Sequence, residues 1–226
     1  MKAMILAAGR GKRMAPLTDT CPKPLLIVAG KPLIQHHIER LVRAGVTEIV
    51  INHAWLGPMI ETALGDGRKF GAHIRYSPEP EGGLETAGGV YQALPLLGDA
   101  PFLLVNGDVW CDWPVEQALA QDLGDNLAWL YLVDNPPEHP QGDFLLDGKK
   151  VYDRIEGQPA FTFSGISILK PELFAQSQAG FFPLAPLFRE HMRRNQVGGQ
   201  KLNGQWLDVG TPERLARLQQ EYGVKL

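Results

Sequence analysis

Little in this sequence suits a membrane, a nucleic acid or a disulfide scaffold. Its 226 residues include only two cysteines, Cys21 and Cys111. Their spacing fits neither a metal nor a redox motif and suggests no secreted disulfide framework. Positive charge is not in excess: the formal net charge is −3, whereas a protein that grips a phosphate backbone is usually basic. Any phosphate chemistry must therefore draw on a local group of cations. No apolar run approaches the roughly 20 residues of a membrane span. The apolar N-terminal run is too short for a signal peptide and passes directly into Arg10, Lys12 and Arg13. A soluble, cytoplasmic protein is expected. Internal repeats and low-complexity segments are missing as well.

What is present is an ordinary globular composition, 44% hydrophobic and 21% charged, at a length that suits one domain over residues 1–226. The first half alternates strand and helix. A short buried strand over Lys2–Leu6 leads to a glycine-rich turn, and a helix over 32–44 carries Leu33, Ile34, Ile38, Leu41 and Val42 on one face with Gly45 as its stop. Strands over 48–52, 73–77 and 101–106 alternate with helices over Gly57–Leu64 and 86–94. Helices between short apolar strands imply parallel crossovers, hence a layered α/β fold. After Asp134 the pattern changes: Pro136, Pro137 and Pro140 interrupt it, and 145–151 around Asp147-Gly148 reads as a hairpin. A long strand over 160–169 and helices over 184–194 and Pro212–Tyr222 complete the reading, a mixed, mostly parallel sheet with an antiparallel addition.

Four stretches carry chemistry. Leu6-Ala7-Ala8-Gly9-Arg10-Gly11-Lys12-Arg13-Met14 follows the first strand. Gly9 and Gly11 let the backbone approach a phosphate with free N–H groups pointing at it, and Lys12 and Arg13 add cationic donors. It is neither a Walker loop nor a dinucleotide-binding G-x-G-x-x-G. Pro22-Lys23-Pro24 comes next; the two prolines are expected to hold the backbone extended and so fix where Lys23 points. A fixed lysine can stabilise charge developing on a phosphate. Asp108 ends an apolar strand, and Asp208 ends a second short apolar stretch just before a helix. Two carboxylates brought together there suit Mg²⁺, which takes one or two protein carboxylates plus phosphate and water. Because Val109 and Trp110 follow Asp108, the D-x-D pattern of many glycosyltransferases is absent.

The first of these stretches, with Pro22-Lys23-Pro24-Leu25 after it, resembles the signature of nucleotidylyltransferases acting on sugar 1-phosphates. It departs from that signature at Lys12, where the family commonly has Thr, and at Met14. Trp206-Leu207-Asp208-Val209-Gly210-Thr211-Pro212 resembles the family's W-x-D-x-G-T-P, and Gly83-Leu84-Glu85-Thr86-Ala87-Gly88 resembles its L-G-T-A-G stretch, with Glu85 in place of the first glycine. The resemblance implies a Rossmann-like, three-layer, glycosyltransferase-A-like fold in which residues 1–134 mainly bind nucleotide and 135–226 mainly bind sugar and supply the second metal ligand. It assigns Arg13 and Lys23 to catalysis. Leu6, Ala7, Ala8, Gly9, Gly11, Lys12, Arg13, Lys23 and Gly83 are assigned to the nucleotide, and Asp108 and Asp208 to Mg²⁺. Gly142, Glu156 and Ser164 match the family's sugar contacts; Asn106, two residues before Asp108 on the same side of its strand, joins them.

Overall length and the variant 82–89 stretch are similar to the short bacterial members, which implies UTP and a cell-wall sugar 1-phosphate as substrates, with no nucleic-acid or membrane partner. The β-helix or tetramer-forming extensions of longer members are absent from this sequence, and a monomer is expected. An acceptor carrying a further carboxylate would need a cation such as Arg154. The residues themselves leave base and acceptor open: dTTP or GTP with glucose, mannose or heptose 1-phosphate, or CTP with phosphocholine, fit the same motifs. A binding module that kept the fold and lost the chemistry is the other class. The presence of Lys23 and Asp108 speaks against it. The paired His36-His37 inside a helix reads as packing.

Overall fold

A computed structural model describes residues 1–222. In chain order its elements are β1 (Lys2–Leu6), α1 (Leu17–Thr20), β2 (Ile27–Val28), β3 (Lys31–Pro32), α2 (Leu33–Arg43), β4 (Glu48–His53), α3 (Gly57–Leu64), β5 (His73–Pro78), α4 (Glu85–Leu97), β6 (Phe102–Asn106), β7 (Val109–Cys111) and α5 (Val115–Leu119). They continue with β8 (Ala128–Val133), β9 (Phe144–Asp147), β10 (Lys150–Asp153), β11 (Thr162–Leu169), α6 (Leu184–Met192), β12 (Val197–Lys201), β13 (Trp206–Asp208) and α7 (Pro212–Tyr222). The helix expected over 32–44 is α2, and Gly45, at φ +85, turns the chain after it. The hairpin expected around Asp147-Gly148 is β9–β10, paired antiparallel.

Nine strands form one sheet in the order β5-β4-β1-β6-β11-β8-β12-β10-β9. β5, β4, β1 and β6 make a continuous parallel block, as the helical crossovers require. β11 runs against both β6 and β8, and β10 against both β12 and β9; the other strands share one direction. Side-chain alternation sets the layers. On β1, Ala3 and Ile5 face a core shared with Ile34, Ile38 and Leu41 of α2 and Ile60 and Leu64 of α3. Met4 faces the opposite core, packed with Val90 and Ala93 of α4 and Phe188 of α6. Each of the larger of these buried side chains, from Val to Phe, stabilises the fold by about 1.5–3 kcal/mol. A smaller cluster joins Met14, Val28 and Leu33 to Leu215 and Leu218 of α7, which seats the glycine-rich turn against the last helix. No helix among the described residues is long and apolar enough to cross a membrane.

Several local features differ from the sequence reading, among them α1, β2, β3, β7, α5 and β13, which were not read. Pro22 is extended, but Lys23–Leu25 closes a short 3₁₀ turn, with Leu25 N–H donating to the Pro22 carbonyl. β8 was not anticipated, because all six of its residues are buried and the run lacks alternation. β12, which carries Gly198 and Gly199, was not anticipated either. A Cβ at 198 would overlap the Trp129 ring, and one at 199 the Val151 side chain, so tertiary packing selects glycine inside this strand.

Candidate active site

Within the main sheet the next strand in the chain after β1 is β4, on one side of it, while β6 returns on the other. This reversal opens a crevice at the carboxyl ends of β1 and β6, where ligands of such sheets bind. Leu6 and Asn106 are register partners at that edge. Two cavities meet there, of about 280 and 400 Å³, and Asn106 and Asp108 line both.

The first cavity is bounded by Leu6 to Arg10, by Lys23, and by the segment from Gly82 to Thr86. Gly11 sits at φ +67, with Thr18 and Lys23 packed where a Cβ would go. The Gly9, Arg10 and Gly11 N–H groups have no partner among the described residues. Such a curved run of unbonded amides suits an anion. The Arg10 guanidinium lies 3.7 Å from the Trp55 ring centre, donates to the Thr18 carbonyl and pairs with Asp19 at 3.0 Å. Lys23, its side chain 9% exposed, pairs with Asp108 at 2.7 Å.

A hydrogen-bonded chain ties the glycine-rich turn to the 79–86 segment. Ala7 N–H donates to Asn52 Oδ1, Asn52 Nδ2 donates to Glu79 Oε1, and Leu84 N–H donates to Glu79 Oε2. Asn52 and Glu79 stand at or just past the ends of β4 and β5. Burial pushes the Glu79 carboxyl above the usual carboxylate range, opposed by these two hydrogen bonds. Glu85 has φ +62, the left-handed conformation that the resemblance fills with glycine.

The second cavity is walled by charge. Asp208 pairs with Arg214 at 2.7 Å, and Arg214 also reaches Glu138 at 3.2 Å. The β7–β13 ladder brings Asp208 beside Asp108, whose carbonyl accepts the Val209 N–H. A Cβ on Gly210 would lie 2.9 Å from Asp208 Oδ2, 3.1 Å from the Arg214 guanidinium and 3.3 Å from that of Arg13. Glycine at this position keeps the three charged groups together. β11 bulges between Phe163 and Ser167, and Gly165, at φ +78, lies against Asn106. Beneath, the His37 ring is bonded to the Val109 carbonyl at 2.8 Å, and burial drives its pKa down to about 4.

Comparison with known proteins agrees with this geometry. The family model for nucleotidyl transferases matches residues 2–144. The chain belongs to the nucleotidyl transferase family. It is 59% identical over 224 residues to the N-acetylmuramate alpha-1-phosphate uridylyltransferase of Neisseria meningitidis, covering 97% of each chain. It is 35% identical to the protein of the same name from Caulobacter vibrioides, covering 93% of this chain and 92% of the relative. A solved structure of a putative glucose-1-phosphate thymidylyltransferase from Bacillus anthracis superposes with a TM-score of 0.86 at 19% identity, covering all of this chain and 97% of that one, which shows the shared fold.

In this nucleotidyl transferase the sequence-chosen residues divide between the cavities. Leu6, Ala7, Ala8, Gly9, Lys23 and Gly83 line the first; Arg13, Ser164 and Asp208 line the second. Gly11 and Lys12 are not among the lining residues, and Lys12 is exposed. Gly142 and Glu156 also stand outside the cavity walls, Gly142 packed at φ +64 against residues 160 and 161. The Ser164 hydroxyl is fully buried, donating to the Tyr131 carbonyl and accepting from Ile166 N–H. Arg154 is bonded to Gln141 outside the cavity, whose own cationic groups are Arg13, Arg214 and, when protonated, His139. Asn52, Glu79, Arg214 and Phe181 were missed. Asn52, which follows the apolar run Ile49–Ile51 of β4, was the available signal for the first; the sequence of β5 offers none for Glu79.

Proposed function

We propose that this chain transfers a uridylyl group from UTP to N-acetylmuramate 1-phosphate. Its chemistry is supported above all by the meeting of two cavities at Asn106 and Asp108, beside a buried lysine. Base and acceptor are carried by the names of the full-length relatives. A phosphate oxygen of the acceptor forms a bond to the α-phosphorus of UTP while the bond from that phosphorus to the bridging oxygen breaks, releasing pyrophosphate. The attacking oxygen is already anionic at neutral pH, so no side chain has to remove a proton.

In this reading the amides of Gly9 to Gly11 hold the triphosphate and the segment around Gly83 holds the base. Lys23 turns its ammonium from Asp108 toward the reacting phosphate, where charge grows. Arg13 faces the acceptor phosphate from the second cavity. Asn106 spans both cavities and aligns the two substrates. Ser164 shapes the cavity floor through its backbone. Gly142, packed against residues 160 and 161, supports the cavity from outside, and Glu156 lies in the exposed turn beyond it.

Asp108 and Asp208 suit Mg²⁺: both are hard carboxylate donors on one cavity wall, and each engages its cation through Oδ2 alone. No group of three His, Cys, Asp or Glu is present among the described residues, so phosphate and water would complete the shell. When bound, the ion neutralises charge on the reacting phosphates. Action in the cytoplasm, on sugars recovered from the cell wall, follows from these substrates.

The test is pyrophosphate release with four nucleoside triphosphates against N-acetylmuramate 1-phosphate, glucose 1-phosphate, mannose 1-phosphate and phosphocholine. UTP with the muramate acceptor should be fastest. A faster dTTP and glucose 1-phosphate pair would overturn the acceptor and base while leaving nucleotidyl transfer in place.

A further inference from the structure

Phe181 is 67% exposed, the largest exposure of any large apolar side chain described. It is not simply loose at the surface, because its ring forms part of the wall of the first cavity. The backbone around it is bonded to the start of α4. Ala87 and Gly88 N–H both donate to the Phe182 carbonyl, Phe182 N–H donates to the Leu84 carbonyl, and Leu184 N–H donates to Thr86 Oγ1. Gly88 has no room for a Cβ because the Gly180 carbonyl rests on it. Phe182, the next residue, packs against the core and meets Tyr91 edge to face at 6.4 Å. The chain is therefore held on either side of an aromatic ring that the core leaves uncovered.

A ring held beside a glycine-rich strip, in the wall of a cavity that amides and a lysine also line, is placed to meet a planar group. Every nucleobase offers a π face, and base–aromatic stacking adds affinity without choosing among bases. We propose that Phe181 stacks on the base of the bound nucleoside triphosphate. The inference rests on the nucleotidyl transfer proposed above. It divides recognition in two: the segment near Gly83 reads the base edge, and Phe181 supplies base-independent affinity. The phosphates, at Gly9 to Gly11 and Lys23, do not contact the ring.

The test compares dissociation constants for UTP and for inorganic tripolyphosphate, with magnesium, on wild type, Phe181→Ala and Phe181→Trp. Because the side chain is exposed, neither variant should impair folding. Phe181→Ala should weaken UTP about tenfold and leave tripolyphosphate unchanged, while Phe181→Trp should keep or tighten UTP binding. CTP and dTTP should weaken by the same factor as UTP in Phe181→Ala. Unchanged UTP binding in Phe181→Ala overturns the proposal, as does equal weakening for UTP and tripolyphosphate. A wild-type chain that binds tripolyphosphate but no nucleoside triphosphate overturns the nucleotidyl-transfer reading itself, a result distinguishable from either.

Discussion

The two cavities that meet at Asn106 and Asp108 are built by different means. The first relies on backbone: unbonded amides at Gly9 and Arg10, a glycine-rich segment at the head of α4, and one buried lysine. The second relies on side chains from distant parts of the chain: Arg13 from the first turn, Glu138 from the loop after β8, and Asp208 and Arg214 from the end of the fold. Backbone recognition needs glycine at few positions and leaves neighbouring side chains free to vary. Charge recognition depends on each named side chain and on its partner. The first cavity should therefore tolerate conservative changes that the second does not.

The largest effect is expected where the second cavity depends on one carboxylate. Asp208→Ala should lower kcat about a thousandfold, in the range seen when a group that stabilises transition-state charge is removed. Arg214 keeps Glu138 as a partner in this variant, so the fold should survive, as circular dichroism would check. Near-normal magnesium-dependent turnover would remove Asp208 from the site.

Lys23→Ala should lower kcat about a hundredfold while the dissociation constant for UTP changes only about threefold, because the ammonium acts on charge that appears in the transition state. A defect confined to UTP affinity would make Lys23 a ground-state anchor and blur the contrast between the cavities.

A smaller effect concerns the floor that carries Asp108. His37 is fully buried, and its pKa is lowered to about 4 by burial first and by Arg40 second. The unfolded chain takes up a proton below about 6.5, which the folded chain resists until about 4. Stability is therefore highest above 6.5 and falls as the pH drops toward 4. Between pH 7 and pH 5 this group should cost about 2 kcal/mol. Urea unfolding at the two values should show this loss in wild type and a smaller one in His37→Gln, which can still donate to the Val109 carbonyl.

The smallest change tests the backbone-built side. Glu85 holds φ +62, a conformation that costs a non-glycine residue about 1 kcal/mol. Glu85→Gly should raise stability by about that amount in urea unfolding, with UTP affinity retained. A loss of UTP affinity would show that the Glu85 side chain, and not only its backbone, shapes the first cavity.

The contrast also explains what could be read in advance. Helix periodicity, the glycine-rich turn, the Asp147-Gly148 hairpin and the two aspartates are local patterns, because amphipathic spacing and turn chemistry act within a few residues. They placed β1, α2, β4, α3, β5 and β6 and the part of the first cavity formed by Leu6 to Gly9, Lys23, Gly83, Asn106 and Asp108. β8 and β12 escaped because full burial removes alternation and because glycine is chosen there by Trp129 and Val151 across the sheet. The Asn52–Glu79 link escaped for a similar reason: each residue is unremarkable until β4 and β5 are paired side by side. Likewise the engagement of Ser164 with Tyr131, the double pairing of Arg214 and the ring of Phe181 at the cavity wall depend on segments far apart in the chain. The sequence by itself determined the strand and helix order, the phosphate-type turn and which residues carry charge. Only the tertiary structure decided which charges are neighbours, because ion pairs and cavity walls arise between segments whose separation in sequence carries no spacing signal.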